Sequence, residues 1–334
     1  MVRVAIVDDY QQVALGMADW AGSLAGAEVV AFADHVAGED ALADRLRGFD
    51  VVVAMRERTP FSRTVLGRLP DLRLLVTTGM RNASIDLEAA AGAGVMVCGT
   101  GGSSSATAEL AWGLLLCLAR HVVVEDRAVR AGAWQSTVGV DLDGKTLGVV
   151  GLGRLGSRVA RYGVAFGMEV VAWSPHLTAE RAAQFGARLV DKAGLFASSD
   201  FVSLHVVLGP GTVGLVGEAE LRTMQPGAYL VNTSRGPVVD EGALLRALEE
   251  GWIAGAGLDV FDREPLPEDD PLRSAPRCVL TPHVGYVTLD TYSRFYGEAL
   301  EDVVAYLAGT PVRVLSAPEG AGSAPAEGAG PGVG

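Results

Sequence analysis

Short apolar runs recur along the chain, each followed by a polar or glycine-bearing turn and then by a stretch with helical spacing. The runs fall at residues 2–7, 29–33, 51–54, 74–77, 95–98, 146–150, 169–172, 201–204, 229–232, 255–258 and 278–280. Most are continuously apolar rather than alternating, which is the pattern of parallel strands covered on both faces. Helical spacing occupies 39–46, 106–119, 154–166 and 241–250. Strand and helix in alternation predict an α/β fold of the doubly wound parallel-sheet class.

The alternation starts twice, once from residue 1 to about 98 and again from 146 to about 281. Between the two series, residues 107–131 read as one long helix with Leu110, Leu114, Leu115, Leu118 and Val122 on its apolar face. Residues 134–143 read as an exposed arm. Helical spacing returns over 289–307, and 312–315 reads as a last short strand for the first domain. This organisation predicts one domain from 1–100 plus 286–315 and an inserted domain over 101–285. Residues 316–334, an Ala/Gly/Pro run that cannot bury a core, are expected to be a disordered tail.

Composition narrows the function classes. A length of 334 residues fits two domains, and a net charge of -13 with no Lys or Arg run argues against a nucleic-acid partner. An anionic substrate must then be met by a few local Arg residues or backbone N–H groups. Three widely spaced cysteines, Cys98, Cys117 and Cys278, make neither a disulfide framework nor a metal pattern, and they suit a reducing cytoplasm. The opening run from Met1 to Asp9 reads as a strand rather than a signal peptide. The longest apolar stretch, near 110–118, is about half of a membrane span. No membrane partner and no metal are expected.

The sharpest local signal is Gly151-Leu152-Gly153-Arg154-Leu155-Gly156. It follows an apolar run and opens an amphipathic stretch, the context in which this pattern binds a dinucleotide. Gly151 permits a tight turn, Gly153 lets the backbone approach a pyrophosphate, and Gly156 lets helix and strand pack closely. The pyrophosphate sits on the helix N-terminus, where free N–H groups and the dipole favour an anion. An acid about twenty residues on ordinarily holds the ribose hydroxyls of NAD. Here Ser174 stands in its place and can hydrogen-bond a hydroxyl or a 2′-phosphate equally well. Arg181, one turn on, is either a ligand for that phosphate or a solvated charge. The cofactor expected is NAD, with NADP left open.

Three further segments each close a strand of the second series: Val231-Asn232-Thr233-Ser234-Arg235-Gly236, the run from Gly257 to Leu266, and Leu280-Thr281-Pro282-His283-Val284-Gly285. Ligands sit along such strand ends. Reduction of a 2-oxo acid needs the groups these segments carry. The carboxylate calls for a fork-shaped cation, which Arg235 supplies. The carbonyl oxygen gains a proton as hydride arrives, a task suited to His283. A carboxylate beside an imidazole stabilises the imidazolium and orients the ring. Singly, each residue could be a surface charge or a packed side chain; behind a dinucleotide fingerprint they form a set.

In these motifs the chain resembles the D-2-hydroxyacid dehydrogenase family, the group of formate, glycerate, lactate and phosphoglycerate dehydrogenases. The resemblance covers residues 1–315 and rests on the order and spacing of the fingerprint, the Asn-Thr-Ser-Arg-Gly run, the Gly-Leu-Asp-Val-Phe to Glu-Pro-Leu run and the Thr-Pro-His run. It implies a flavodoxin-like substrate domain and an inserted Rossmann domain. It implies Arg235 as the orienting cation, His283 as general acid/base and Glu264 as its paired carboxylate. It further implies Asp259 and Thr107 near the nicotinamide, Thr233 and His205 along the cofactor cleft, and a homodimer formed through 107–143. His205 is there a structural support. His35, His121 and His176 have no partner pattern and carry no expected role.

The segment Val76-Thr77-Thr78-Gly79-Met80-Arg81-Asn82 resembles the family's substrate loop, where N–H groups near Gly79 bind the substrate carboxylate. Arg81 stands where relatives often carry Asp. The loop from Met55 to Pro60 is similarly charged, so Arg56, Arg58 and Arg81 together suggest a substrate with a second anionic group. The predicted substrate-binding residues are Arg56, Thr78, Gly79 and Arg81. Glu264 stands where formate dehydrogenases of the family carry Gln, which disfavours formate. No regulatory extension follows Leu315, so feedback by a bound amino acid is not expected. The expected activity is hydride transfer between a nicotinamide cofactor and a small 2-oxo or 2-hydroxy acid. Its rivals are an NAD(H)-sensing corepressor-like protein and a reductase of hydroxypyruvate, glyoxylate or an oxidised phosphorus acid.

Overall fold

Apolar strands and capped helices assemble two compact units, Met1–Gly102 with the chain from Thr288 onward, and Ser103–Val287. The computed structural model describes residues 1–103 and 105–318; residues 319–334, most of the expected tail, lie outside the described residues.

In the first unit, β1 (Arg3–Ile6), β2 (Glu28–Ala31), β3 (Val51–Ala54), β4 (Leu74–Thr77) and β5 (Met96–Gly99) run parallel in the order β2-β1-β3-β4-β5. All residues of β3, β4 and β5 are buried, which explains their unbroken apolar character. The strand Val314–Ser316 adds antiparallel to β5, one residue beyond the expected limit. Helix Leu289–Leu307 starts on the Thr288 cap and buries Tyr292, Phe295, Tyr296, Ala299, Leu300 and Val303 at helical spacing. Strand order reverses between β1 and β3, so the loops that begin near Asp8 and Arg56 flank the place where open parallel sheets bind ligands.

The second unit holds β6 (Thr146–Val150), β7 (Glu169–Trp173), β8 (Ala187–Leu189), β9 (Phe201–Leu204), β10 (Tyr229–Asn232), β11 (Gly255–Leu258) and β12 (Cys278–Leu280). They are parallel in the order β8-β7-β6-β9-β10-β11-β12, with the reversal between β6 and β9. β8 was not legible as a strand, because it is a three-residue edge with exposed Arg188.

The single helix expected over 107–131 is two: Ser105–Ala119 and Val122–Arg130, bent by 62°. His121 adopts φ 51° at the break, a left-handed conformation no helix continues through. The first piece is a core helix. Its Leu114 and Leu118 press on β11 at Gly257, where a Cβ would lie 3.1 Å from Leu114. The second piece buries no residue, so Val122 leaves the expected face and is 48% exposed. Residues 131–139 beyond it are exposed throughout, with Ser136 and Thr137 bonded to Glu125.

Among the described residues no single helix is long and apolar enough to cross a membrane, and no cluster of His, Cys, Asp and Glu could hold a metal ion. All three cysteines are free. Burial pushes the Cys98 and Cys278 thiols up to about 12, so neither is a nucleophile near neutrality.

Candidate active site

The glycine fingerprint lies between β6 and helix Gly156–Ala165, at the strand-order reversal. Gly151 adopts φ 91°, and its N–H donates to the Trp173 carbonyl at the end of β7. A Cβ on Gly151 would lie 2.8 Å from the His205 carbonyl oxygen, and one on Gly156 would lie 2.0 Å from the Gly151 carbonyl oxygen. Gly153 is different: a Cβ there would meet open space. Packing explains the first and third glycines, whereas the second leaves room for a ligand to reach the backbone. Arg154 is exposed beside it, and Leu155 stands at the N-cap. Two buried polar atoms nearby in the unit, His205 Nδ1 and Thr233 Oγ1, lack hydrogen-bond partners among the described residues. Unpartnered buried atoms on strand ends are what a polar cofactor would satisfy. The donor set and the glycine turn thus fit a dinucleotide.

Ser174 follows β7 and is half-buried, with no acid at the strand end. Arg181 stacks on Phe185, 4.5 Å from the ring centroid, and donates to Gln184. Those contacts favour the solvated-charge alternative for Arg181.

The catalytic candidates converge on the ends of β10, β11 and β12. Glu264 Oε2 meets His283 Nδ1 at 2.5 Å, and Glu264 Oε1 accepts the Phe261 N–H at 2.9 Å. A carboxylate only accepts, so Nδ1 carries the proton and Nε2 is the nitrogen left for exchange. His283 itself adopts φ 53°. What holds it there is Asp259, only 1% exposed. Its Oδ1 accepts from Thr281 Oγ1 at 2.6 Å and Val284 N at 2.8 Å, and its Oδ2 from Gly285 N at 2.9 Å. Burial raises the Asp259 carboxyl above its usual range, against the pull of these donors and of His283. The resemblance implies Asp259 near the nicotinamide; in the structure the side chain also ties down the His283 segment with these three bonds. Thr107 joins it, because a Cβ on Gly285 would lie 3.0 Å from Asp259 Oδ2 and 3.1 Å from Thr107 Cγ2.

Arg235 is placed by a knot of short polar bonds. Asn232 Nδ2 donates to the Arg235 carbonyl at 2.9 Å, and Asn232 Oδ1 accepts from Ser234 N and Oγ. The next residue is Gly236, where a Cβ would lie 2.1 Å from the Phe261 carbonyl carbon. Glycine therefore lets the Arg235 turn press on the backbone that leads to Glu264.

The remaining candidates form a set of their own in the first unit. Arg56, at φ 53°, donates from its backbone N–H to Thr78 Oγ1 and from Nη1 to the Thr78 carbonyl. Thr78 is fully buried, and its hydroxyl holds the Arg56 backbone. The Gly79 N–H, expected for the substrate carboxylate, donates to Thr100 Oγ1 at 2.9 Å. Arg58 stacks on Tyr10, and Arg81 is exposed.

Residues 112–285 match the family model for the D-isomer specific 2-hydroxyacid dehydrogenase, NAD binding domain. A glyoxylate reductase of Korarchaeum cryptofilum is 40% identical over 273 residues, 80% of this chain and 82% of that protein. The chain belongs to the D-isomer specific 2-hydroxyacid dehydrogenase family. A D-3-phosphoglycerate dehydrogenase of Archaeoglobus fulgidus is 38% identical across 78% of this chain but only 50% of its own length. A crystal structure of phosphoglycerate oxidoreductase from Vibrio cholerae superposes with TM-score 0.88 at 38% identity, covering 92% of this chain and 99% of that one. The dehydrogenase is an NAD-dependent oxidoreductase acting between 2-oxo and 2-hydroxy acids. A corepressor-like binding protein is not favoured, since these relatives are named as reductases and dehydrogenases.

Sequence reasoning missed the supporting layer of the enzyme: Thr281, Thr100 and the trio Asp8, His35 and Thr59. Asp8 accepts Thr59 Oγ1 at 2.6 Å and meets His35 Nδ1 at 2.9 Å, tying together three strand-end loops. The one available signal was position, since each follows a predicted strand.

His205 Nε2 pairs with Ser203 Oγ at 2.8 Å, and burial pushes its ring down to about 4 from an ordinary value of 6.5. The folded ring stays neutral where an unfolded one binds a proton. Stability therefore falls as pH drops from about 6.5 towards 4, by on the order of 3 kcal/mol over that window. In His205→Gln this slope should vanish from thermal melts of the ligand-free enzyme; an unchanged acid slope would refute the assignment.

Proposed function

We propose that the dehydrogenase reduces a small 2-oxo acid bearing one carboxylate, of the glyoxylate or hydroxypyruvate kind, at Arg235, Glu264 and His283. The observation that carries this reading is the 2.5 Å Glu264–His283 bond on strand ends shared with Arg235. When bound, the nicotinamide supplies a hydride for C2 of the oxo acid. Arg235 orients the substrate and draws charge towards the carbonyl oxygen. His283 gives its Nε2 proton to that oxygen as it becomes an alkoxide. Glu264 balances the imidazolium and keeps Nδ1–H turned away from the substrate. In the oxidative direction His283 takes the proton back.

Two of the three basic residues that suggested a second anionic group have partners of their own. Arg56 is bonded to Thr78 and lies 3.8 Å from Glu57, and Arg58 stacks on Tyr10. These engagements favour one carboxylate, as does the name of the glyoxylate reductases 38–42% identical to this chain. The absorbance of the nicotinamide band, followed with a panel of 2-oxo acids and both dinucleotides, tests the substrate. His283→Gln should lose about 1000-fold or more in turnover with dinucleotide binding intact. Near-normal turnover would sink the role of His283.

Ser174 leaves room for both dinucleotides at the ribose. Ser174→Asp should weaken NADPH binding by about tenfold or more, through like-charge repulsion, and spare NADH. Equal effects on both, read by fluorescence titration, would remove Ser174 from the ribose site.

Helix Val122–Arg130 and the exposed residues after it carry the proposed homodimer contact, with Trp134 80% and Val138 90% exposed. Sedimentation should show a dimer that Trp134→Arg weakens; a monomeric wild type at micromolar concentration would exclude it. Free cysteines support a cytoplasmic location, which recovery in the cytosolic fraction checks.

A further inference from the structure

The imidazole of His283 is held at one corner by Glu264. That hydrogen bond fixes the place of Nδ1, and the tilt of the ring, a torsion with a broad range, depends on what packs against it. The backbone under it stands at φ 53°, on the segment that Asp259 holds. A second contact comes from Tyr286, three residues on. Its ring stands edge-on to the imidazole, with centroids 5.6 Å apart and planes at 71°. Aromatic quadrupoles favour that geometry. The same turn brings both rings together: Val284 and Gly285 are clamped to Asp259, and the Val287 N–H returns to the Val284 carbonyl. Tyr286 is 8% exposed, whereas the side chains of His283 and Glu264 retain 18% and 29%.

We propose that Tyr286 is a positioning residue for proton transfer: its ring sets the tilt of the His283 imidazole and keeps water off the Glu264–His283 hydrogen bond. This rests on the reading of His283 as the proton donor. With the tilt set by Tyr286 and Nδ1 set by Glu264, the Nε2–H vector has one direction before substrate arrives. Preorganisation of that kind is where enzymes gain most, and a small misalignment is costly. Excluding water also strengthens the charged hydrogen bond, since the local dielectric falls.

Three variants separate the possibilities. Tyr286→Phe keeps the ring and should hold turnover within about twofold of wild type. Tyr286→Leu removes it and should lower kcat by on the order of tenfold or more, while the Kd for NADH stays unchanged. The proton between Glu264 and His283 gives an independent readout by NMR. Its far-downfield N–H resonance should be sharp in wild type and in Tyr286→Phe, and broadened by solvent exchange in Tyr286→Leu. Thermal melts check folding, and Tyr286→Met replaces the Leu variant, with the same expectations, if the latter does not fold. Full turnover with a sharp resonance in the ring-less variant overturns the proposal. Equal loss in Tyr286→Phe and Tyr286→Leu also overturns it, by moving the role to the hydroxyl. His283→Gln is the control: if it retained turnover, the donor assignment would fail while the resonance would still report whether Tyr286 shields the pair.

Discussion

A buried carboxylate with three donors, Asp259, holds the segment on which the proposed proton transfer depends. The Thr281 N–H still reaches the Leu258 carbonyl of β11, after which the segment to Gly285 leaves the sheet, and its central residue is in a conformation that unrestrained chains avoid. Three hydrogen bonds converge on one side chain and hold that conformation. With the segment fixed, His283 falls within 2.5 Å of Glu264, and Tyr286 falls against its ring. Asp259 also lies one residue past β11 and so transmits the rigidity of the sheet to the loop.

The same construction recurs at each neighbouring strand end. After β10, Asn232 ties its own turn and presents Arg235. After β1, Asp8 gathers the loops that follow β2 and β3. In each case a short polar side chain at the last position of a strand, or just beyond it, satisfies the amides or hydroxyls of an adjoining loop. Parallel sheets place many such ends along one edge, and a few fixed side chains there can hold a ligand between them.

Much of this was legible in the chain. The two strand series, the glycine turn and the three strand-end motifs follow from apolar periodicity and from the demands of oxo-acid reduction. Gly236 and Gly257 show the limit. Both are glycine because a backbone or a helix presses on them, which depends on partners far away in sequence. Asp259 shows another limit: its place beside the site was readable, but its bonds to Thr281, Val284 and Gly285 were not. The break at His121 was invisible because apolar spacing continues through it, while burial stops. Gly79 and Thr78 sit in the loop where substrate ligands were expected, but their bonds to Thr100 and Arg56 depend on partners that the sequence does not reveal.

Asp8, Arg56 and His283 share a backbone feature, a positive φ on a residue that is not glycine. Each costs roughly 1–2 kcal/mol relative to an ordinary conformation. At Asp8 and Arg56 the side chain offsets that cost through its bonds to Thr59, His35 and Thr78. At His283 the side chain serves the proposed reaction, so selection for stability and selection for turnover pull that one codon in opposite directions. A lineage of this enzyme released from its reaction would be expected to lose the side chain of His283 first.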